Sequence, residues 1–386
     1  MKIKVKNVLP LIPLLHNLNT IKKEDESGLL YSMDYRGDYY KLLPLLESFF
    51  HAGCTVFSHV TPKGERLLGR NFDLRHYYQN PDTGETEITG LITVLRTKNR
   101  KAKYRSIGVC DAMYLDPKCR IFRKGSFDHR DKNTLRALLL PFLTMDGVNE
   151  KGLAVSILFL STDNSFEEIP YKDPDAFDEE EKKDLIVLTE PGTVPDKSNA
   201  RLTNRNIIEN TTDRRAWKVV KAKSTHQTAP GKKTMIHTLL MRMMLDNCAN
   251  CEEAVALART VNLISLPGAD YHIMVTDTRS SVMLEWINNE LTVQECCHAA
   301  NFYNNRPDHF GYGQNRDEAL ASAIECHPEG ITEQECMEAL REASQNCLIG
   351  KDHGFTQWSA VYNLNRKTLD LAVHSDYEHI HRFELN

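Results

Sequence analysis

A thiol, a guanidinium and a carboxylate lie near one another along the chain. Cys54 opens one apolar run, and Arg70 and Asp73 lie on the next. Cysteine reacts as the thiolate, which a neighbouring positive charge stabilises. A carboxylate can orient the group that takes up the thiol proton. These residue types predict a nucleophile with its activators, and the alternative is that Cys54 is a small buried hydrophobe.

A β-hairpin is the element that has to bring these residues together. Residues 61–64 read Thr-Pro-Lys-Gly, which is a turn signal, and apolar residues alternate with polar ones on both sides of it. Two such runs joined by a short turn are typical of antiparallel strands. Folding the second strand back brings Arg70 and Asp73 toward Cys54.

Composition restricts the class of partner. The 386 residues carry a formal charge of -5 with a pI near 6.3, so the chain lacks the excess of basic residues that is typical of nucleic-acid-binding proteins. A hydrophobic content of 41% and a mean hydropathy of -0.45 are typical of a globular protein, and no apolar run is long enough to span a bilayer. We expect one large domain or two ordinary ones, and a small-molecule or peptide-like substrate.

The ten cysteines are scattered without the regular spacing of a disulfide framework, which favours a reducing compartment, the cytoplasm. A secretory signal is the alternative, because residues 1–15 begin basic and then become apolar, but Pro10 and Pro13 interrupt the apolar part. The glycosylation sequon at Asn210 matters only for a secreted chain. Cys248 and Cys251 form one C-x-x-C pair without a second pair at zinc spacing, so we do not expect a metal site there.

The remaining pattern predicts strands, then helices, then strands. Residues 1–53 read as a helical or irregular arm. Strands are predicted at 91–95, 104–109, 153–160, 271–276, 281–286, 357–362, 368–373 and 380–385, and helices at 133–143, 234–245, 251–261, 317–324 and 332–345. Polar residues 161–232 are either an insertion or mobile loop near a site, or a plain surface excursion. This order predicts an α+β fold with mainly antiparallel sheets and helices on their outer faces.

Four pieces of the chain from Cys54 onward carry a resemblance to a known family. They are Cys54-Thr55, the Gly-Arg-Asn-Phe-Asp of 69–73, the Asp-Gly-Val-Asn-Glu-Lys-Gly-Leu of 146–153, and Asn301 with Arg316. Together they resemble the choloylglycine hydrolase and acid ceramidase branch of the N-terminal nucleophile (Ntn) hydrolases. This branch includes penicillin V acylases, bile salt hydrolases and related linear-amide hydrolases.

The resemblance implies a four-layer αββα sandwich made as a zymogen that cuts itself before its nucleophile. The scissile bond would join Gly53 to Cys54, with 1–53 as leader and 54–386 as catalytic domain. A freed α-amine has an unperturbed pKa of roughly 8 and lies on the same residue as the thiol, so it can serve as the base. Nucleophile and base would then belong to one residue, Cys54.

The resemblance also assigns roles to the other matched residues. Arg70 would hold Cys54 as thiolate, and Asp73 would orient the α-amine. Asn301 would donate its side-chain amide to the tetrahedral oxyanion, and Arg316 would be a second active-site arginine.

Four structural interpretations stay open. Arg70 and Asp73 could form a structural salt bridge with each other. Asn301 could be a turn residue, since Asn304 and Asn305 lie close by and either could be matched to the family's Asn instead. Arg316 could be a solvated charge at a helix start, and residues 149–152 read as a structural turn.

Two departures from the family pattern limit the choice of substrate. Bile salt hydrolases carry an oxyanion-hole Asn on the strand where this chain has Leu158 or Phe159, so a backbone N–H would have to serve. The 53-residue leader also fits the ceramidase-like members better. Bile salt specificity is therefore not supported by the motifs.

The expected function is that of a self-processing cysteine amidase. It would hydrolyse the linear, non-peptide C–N amide bond of a small N-acyl compound through an acyl thioester at Cys54, without a metal or organic cofactor. The alternatives are an acyltransferase of the same fold and a non-catalytic binding protein that is never processed. The sequence leaves the acyl group, the amine group and a homo-oligomeric state open.

Overall fold

Strands make up most of the regular structure. The computed structural model describes residues 9–45, 53–74, 77–79, 86–88, 92–112, 134–161, 166–168, 185–188, 218–222, 231–263, 269–287, 290–309, 311–345 and 355–385. The strands in chain order are β1 (Lys22–Lys23), β2 (Leu30–Arg36), β3 (Gly53–Val60), β4 (Arg66–Leu74), β5 (Tyr77–Gln79), β6 (Thr86–Ile88), β7 (Ile92–Lys98), β8 (Ser106–Asp111), β9 (Thr144–Asn149), β10 (Ala154–Ser161), β11 (Phe166–Glu168), β12 (Leu185–Leu188), β13 (Lys218–Ala222), β14 (Lys233–Met235), β15 (Val261–Leu263), β16 (Ala269–Thr276), β17 (Ser281–Ile287), β18 (Glu290–Glu295), β19 (His298–Ala299), β20 (Asn301–Phe302), β21 (Gly311–Tyr312), β22 (Phe355–Asn363), β23 (Thr368–Val373) and β24 (Asp376–Glu384). The α-helices are α1 (His237–Asn247), α2 (Cys251–Ala258), α3 (Gln314–Cys326) and α4 (Glu333–Glu342), and 3-10 helices span Leu9–Thr20, Tyr39–Leu45 and Thr134–Leu143.

Two large sheets pack face to face. The larger has nine strands in the order β1-β2-β7-β8-β9-β10-β16-β17-β18, and the smaller has six in the order β19-β3-β4-β22-β23-β24. Strands β2 and β7 are parallel, and the other described pairs of the two sheets are antiparallel. One buried apolar cluster includes the side chains between the sheets, with Val94 and Val109 from the larger sheet and Val56 and Leu68 from the smaller, and it extends to α1.

Helices cover the outer faces of both sheets. Helix α1 packs on β9 and β10, and α2 packs on β16 and β17 of the larger sheet. Helices α3 and α4 pack on β3, β4, β19 and β22 of the smaller sheet, where Leu320 and Leu340 contact the strand residues Phe57 and Leu67 in a further apolar cluster. The four layers confirm the predicted α+β class, the αββα order and the mainly antiparallel sheets.

Residues 9–45 contribute two strands, β1 and β2, to the larger sheet, where the sequence indicates a helical or irregular arm. Strand β2 lies parallel to β7, with Leu30 opposite Ile92. Farther along, the hydroxyl groups of Tyr39 and Tyr40 donate to the Asp246 carboxylate of α1 at 2.6 and 2.7 Å. These contacts join residues 30–40 to the larger sheet and to α1. The division into 1–53 and 54–386 stays a prediction.

Local chemistry sets the type of one predicted helix and the start of two others. The helix predicted at 133–143 is a 3-10 helix that contains Pro141, whose missing N–H cannot donate within a regular α-helix. Asn250 caps α2 by accepting from the Glu253 N–H, as helix-cap chemistry predicts. Thr332 and Glu335 form a capping box at the start of α4.

Residues 161–232 are described only in part. Strands β11, β13 and β12 form a small three-stranded sheet. The acidic run at 178–183 and the sequon at Asn210 lie outside the described residues, and the reading of this stretch as an insertion or mobile loop stays a prediction. Among the helices that the structure describes, none is both long and apolar enough to cross a bilayer.

Candidate active site

The predicted hairpin forms, and its register places the candidate nucleophile. Strands β3 and β4 pair antiparallel, with Cys54 opposite Phe72 and Val56 opposite Arg70. Residues opposite one another share a face and faces alternate along a strand, so Cys54 and Arg70 lie on the same face. Asp73 pairs with Gly53 and therefore lies on the other face.

Arg70 contacts the thiol directly. Its Nη2 atom lies 2.8 Å from Cys54 Sγ and also donates to the carbonyl oxygen of Ile157 at 2.8 Å. Both side chains are fully buried. Burial raises the pKa of the Cys54 thiol, against the lowering effect of the Arg70 charge and of hydrogen bonds from Arg70 and the Phe159 backbone. The thiol of the intact chain therefore keeps its proton at neutral pH, with a cation beside it to stabilise a thiolate.

Asp146 is the ion-pair partner of Arg70, and sequence reasoning missed it. Its carboxylate pairs with Arg70 Nη1, accepts from Trp358 Nε1 at 3.1 Å, and accepts from the Tyr362 hydroxyl. Asp146 is fully buried in the space between the sheets. These contacts lock the guanidinium in one orientation. The alternative of an Arg70–Asp73 salt bridge is not what the structure contains, because the two side chains leave β4 on opposite faces.

The turn after Asp146 has the structural role that its sequence indicates. Asn149 donates its side-chain amide to the carbonyl oxygens of Leu245 and Cys248 at 3.0 and 2.7 Å. Its Oδ1 atom accepts the backbone N–H groups of Lys151 and Leu153. The motif of residues 146–153 therefore has two parts. Asp146 contacts the candidate site, and the turn at 149–152 hydrogen-bonds to the end of α1.

Arg316 joins the other predicted residues into a second network. Its Nη1 atom donates to Asp73 Oδ2 and to Thr55 Oγ1, both at 2.7 Å, and lies 3.3 Å from the Cys54 carbonyl oxygen. Its Nη2 atom donates to Asn301 Oδ1 at 2.7 Å. Arg316 is only 5% exposed, so it is not a solvated charge at a helix start.

Asn301 connects this network to the nucleophile. The backbone N–H of Cys54 donates to Asn301 Oδ1 at 3.0 Å, so the nitrogen that cleavage would free bonds to Asn301. Asn301 Nδ2, the predicted oxyanion donor, donates to the carbonyl oxygen of Phe159 at 2.9 Å. Asn301 lies in strand β20 and is fully buried, which is a different setting from a surface turn.

The Asp73 carboxylate accepts hydrogen bonds from two side chains. Thr356 Oγ1 donates to Asp73 Oδ1 at 2.6 Å, and Arg316 holds the other oxygen. Burial raises the pKa of the Asp73 carboxyl, and the Arg316 charge and the Thr356 hydrogen bond oppose this effect. The contacts of Thr356 with Asp73 and of Thr55 with Arg316 were not predicted, since a threonine within a strand gives no signal of such a contact.

The five predicted residues thus form two linked groups around one backbone segment. Arg70 contacts the side chain of Cys54, Asn301 and Arg316 contact its backbone, and Asp73 is bonded to Arg316. In the described part of the chain, no group of three or more His, Cys, Asp or Glu side chains is placed to hold a metal ion. The arrangement can support attack by sulfur on a carbonyl group next to the Cys54 nitrogen.

Comparison with known proteins finds solved structures that are similar at low sequence identity. No family model matches the chain, and no curated protein matches it. Among solved structures, two variants of the conjugated bile acid hydrolase from Clostridium perfringens are similar at 13% and 12% identity, with TM-scores of 0.47 and 0.46. They cover 86% of this chain and 92% and 93% of their own. Penicillin V acylase from Agrobacterium tumefaciens is similar at 12% identity over 83% of both chains, with a TM-score of 0.45.

Proposed function

We propose that this protein is a self-processing cysteine amidase of the N-terminal nucleophile type. It would hydrolyse the linear, non-peptide C–N amide bond of an N-acyl compound through an acyl thioester at Cys54. The contact between Arg70 Nη2 and Cys54 Sγ, 2.8 Å long and buried, carries the proposal. A guanidinium fixed at this distance stabilises the thiolate as it forms, which an inert core cysteine would not need.

The first reaction would be on the chain itself. Cys54 Sγ attacks the carbonyl carbon of Gly53, the Gly53–Cys54 C–N bond breaks, and the thiol proton passes to the leaving nitrogen. Water then hydrolyses the thioester, which leaves a Gly53 carboxylate and a Cys54 with a free α-amine. The existing hydrogen bond from the Cys54 nitrogen to Asn301 Oδ1 supports this step, because it would orient the amine as soon as it is released.

Turnover of an external amide would use the same atoms. The α-amine, with an unperturbed pKa of roughly 8, takes the thiol proton and later gives it to the leaving amine. Arg316 donates to Asp73 and to Asn301, and Asn301 is the residue that would hold that amine. The Asn301 side-chain amide and the Phe159 backbone N–H are the donors proposed for the oxyanion, and loss of such a donor typically costs about 3 kcal/mol.

The intact chain would be a zymogen, since Cys54 is fully buried in it. An external acyl group could not reach the sulfur while Cys54 keeps this burial. The hydrogen bonds of Tyr39 and Tyr40 to Asp246 would keep the rest of the leader attached. A reducing compartment such as the cytoplasm remains part of the proposal, on the ground of the scattered cysteines.

Intact-mass measurement of the wild-type chain, followed by an amide panel, tests the proposal. Under denaturing conditions we expect two fragments, one ending at Gly53 and one starting at Cys54, and under native conditions one species that contains both. The panel would include N-acyl amino acids, acylated lactams and conjugated bile acids, and we expect hydrolysis of at least one. A chain that still starts at Met1 and hydrolyses none of them would contradict the proposal and support the alternative of a non-catalytic binding protein.

The same assay separates a hydrolase from an acyltransferase. An added amine competes with water for the acyl thioester, so the ratio of free acid to new amide reports the preferred acceptor. We expect free acid to dominate. A product that is mainly the new amide at modest amine concentration would assign the acyltransferase alternative.

Gly313→Ala tests the contribution of Arg316 to the reaction. Gly313 has a φ of +93°, and a Cβ atom there would lie 2.5 Å from Arg316 Nη2. The matched control is Gly64→Ala, at a φ of +78° with no atom within 4 Å of the added Cβ. Both variants should lose about 1–2 kcal/mol of unfolding free energy to the positive φ. Only Gly313→Ala should also slow self-cleavage and turnover, and equal rates in the two variants would contradict the role of Arg316.

A further inference from the structure

A buried pair of ionisable side chains lies behind the strand that carries Asn301. His272 on β16 and Glu285 on β17 are both fully buried, and His272 Nδ1 lies 3.0 Å from Glu285 Oε1. Burying two such groups is costly unless each finds partners for its remaining polar atoms. The pair is therefore expected to have a function that an apolar pair could not supply.

The second ring nitrogen of His272 identifies the charge of the pair. His272 Nε2 lies 2.9 Å from the carbonyl oxygen of Ala300, which can only accept a hydrogen bond. A neutral imidazole has one N–H and would leave a lone pair facing one of the two oxygen atoms. An ionised Glu285 oxygen likewise only accepts, and beside it only the imidazolium donates to both oxygens.

Glu285 binds the chain segment that follows Asn301. Its two oxygens accept the backbone N–H groups of Asn304 and Asn305 at 2.8 and 2.9 Å, and Asn305 Nδ2 also donates to it at 2.8 Å. Burial disfavours this charge, but His272 and the backbone N–H groups of Asn304 and Asn305 together outweigh it and lower the pKa of Glu285. The pair thus fixes residues 300–305 at both ends.

We propose that His272 is a positioning residue for the reaction at Cys54: as an imidazolium held by Glu285, it fixes the Ala300 carbonyl and with it the Asn301 side chain. Asn301 Oδ1 receives the Cys54 N–H at 3.0 Å, so a shift of the Ala300–Asn301 peptide would displace the group that orients the amine. This inference rests on the proposed function. A misplacement of about 1 Å at a reacting centre can cost ~100-fold in rate.

Two substitutions of His272 separate positioning from support of the fold. In His272→Gln the side-chain nitrogen can occupy the place of Nε2 and still donate to Ala300. In His272→Asn it can occupy the place of Nδ1, so it keeps the contact with Glu285 and loses the one with Ala300. Both variants lose the imidazolium, and we expect similar unfolding temperatures for the two.

The expected result is a difference in kcat at similar KM. His272→Asn should cut itself and turn over an N-acyl amide roughly 10 to 100-fold more slowly than His272→Gln, with KM little changed. Equal kcat values for the two variants, or a faster His272→Asn, would overturn the proposal.

A spectroscopic measurement on the wild-type chain tests the contact itself. In an NMR spectrum of the chain with 15N-labelled histidine, both ring nitrogens of His272 should have the 15N chemical shift of a protonated nitrogen at pH 7. The two signals are assigned to His272 by their loss in His272→Gln. One bare ring nitrogen would overturn the proposal even if the variants fail to fold. If the wild type hydrolyses no amide but both nitrogens are protonated, the proposed function has failed and the charge assignment stands.

Discussion

Cys54→Ala is expected to leave the chain uncut between Gly53 and Cys54 and to lower amide hydrolysis by roughly 10⁴-fold or more, as removal of a nucleophile does in other covalent hydrolases. The sulfur is the atom that Arg70 Nη2 contacts at 2.8 Å, and no other thiol in the described site replaces it. Intact mass gives the cleavage, and kcat on an active amide gives the turnover.

Two further variants show whether the effect belongs to this thiol. Cys54→Ser keeps a nucleophile of much higher pKa in the same place, so we expect slow cleavage and slow turnover instead of none. Cys336→Ala is the matched control, since Cys336 is also a fully buried free thiol but packs between α4 and the smaller sheet. It should cut itself and turn over as the wild type does. Cleavage at Gly53 in Cys54→Ala would refute self-processing by this thiol.

The parts of the site that could be predicted are those encoded within one hairpin. The turn at 61–64 and the alternation around it place Cys54 and Arg70 near each other, and the structure has this hairpin. The same alternation could have excluded a pair between Arg70 and Asp73, because residues an odd number apart on a regular strand leave on opposite faces. The partner of Arg70 had to come from another strand.

The remaining contacts depend on strands far apart in sequence. Asp146 on β9 meets Arg70 on β4 only because two sheets pack face to face, and no local pattern encodes which carboxylate fills that space. Strand β2 was missed for a similar reason. Its residues are buried on both faces, which removes the alternation, and its partner β7 is parallel and distant in the chain.

Breaking the buried ion pair of Arg70 and Asp146 should have the largest effect on stability. In Asp146→Asn the guanidinium keeps its burial but loses its counter-charge, and such a change typically costs about 3–5 kcal/mol of unfolding free energy. The charge that holds Arg70 toward Cys54 Sγ is lost as well. We therefore expect slower self-cleavage and a lower midpoint in urea unfolding.

A double substitution separates the structural part of this effect from the chemical part. Arg70→Met alone leaves a buried carboxylate, and Arg70→Met with Asp146→Asn removes both charges, so the double variant should recover much of the lost stability. It should not recover activity, because the cation that lowers the pKa of the Cys54 thiol is absent. Arg242→Met breaks a second buried arginine–aspartate pair, Arg242 with Asp246 at 2.8 Å, which lies away from Cys54. This control should lose stability yet keep turnover per folded molecule. If the double variant regains both stability and turnover, Arg70 is only a structural partner of Asp146, and the thiol at Cys54 needs no cation to react.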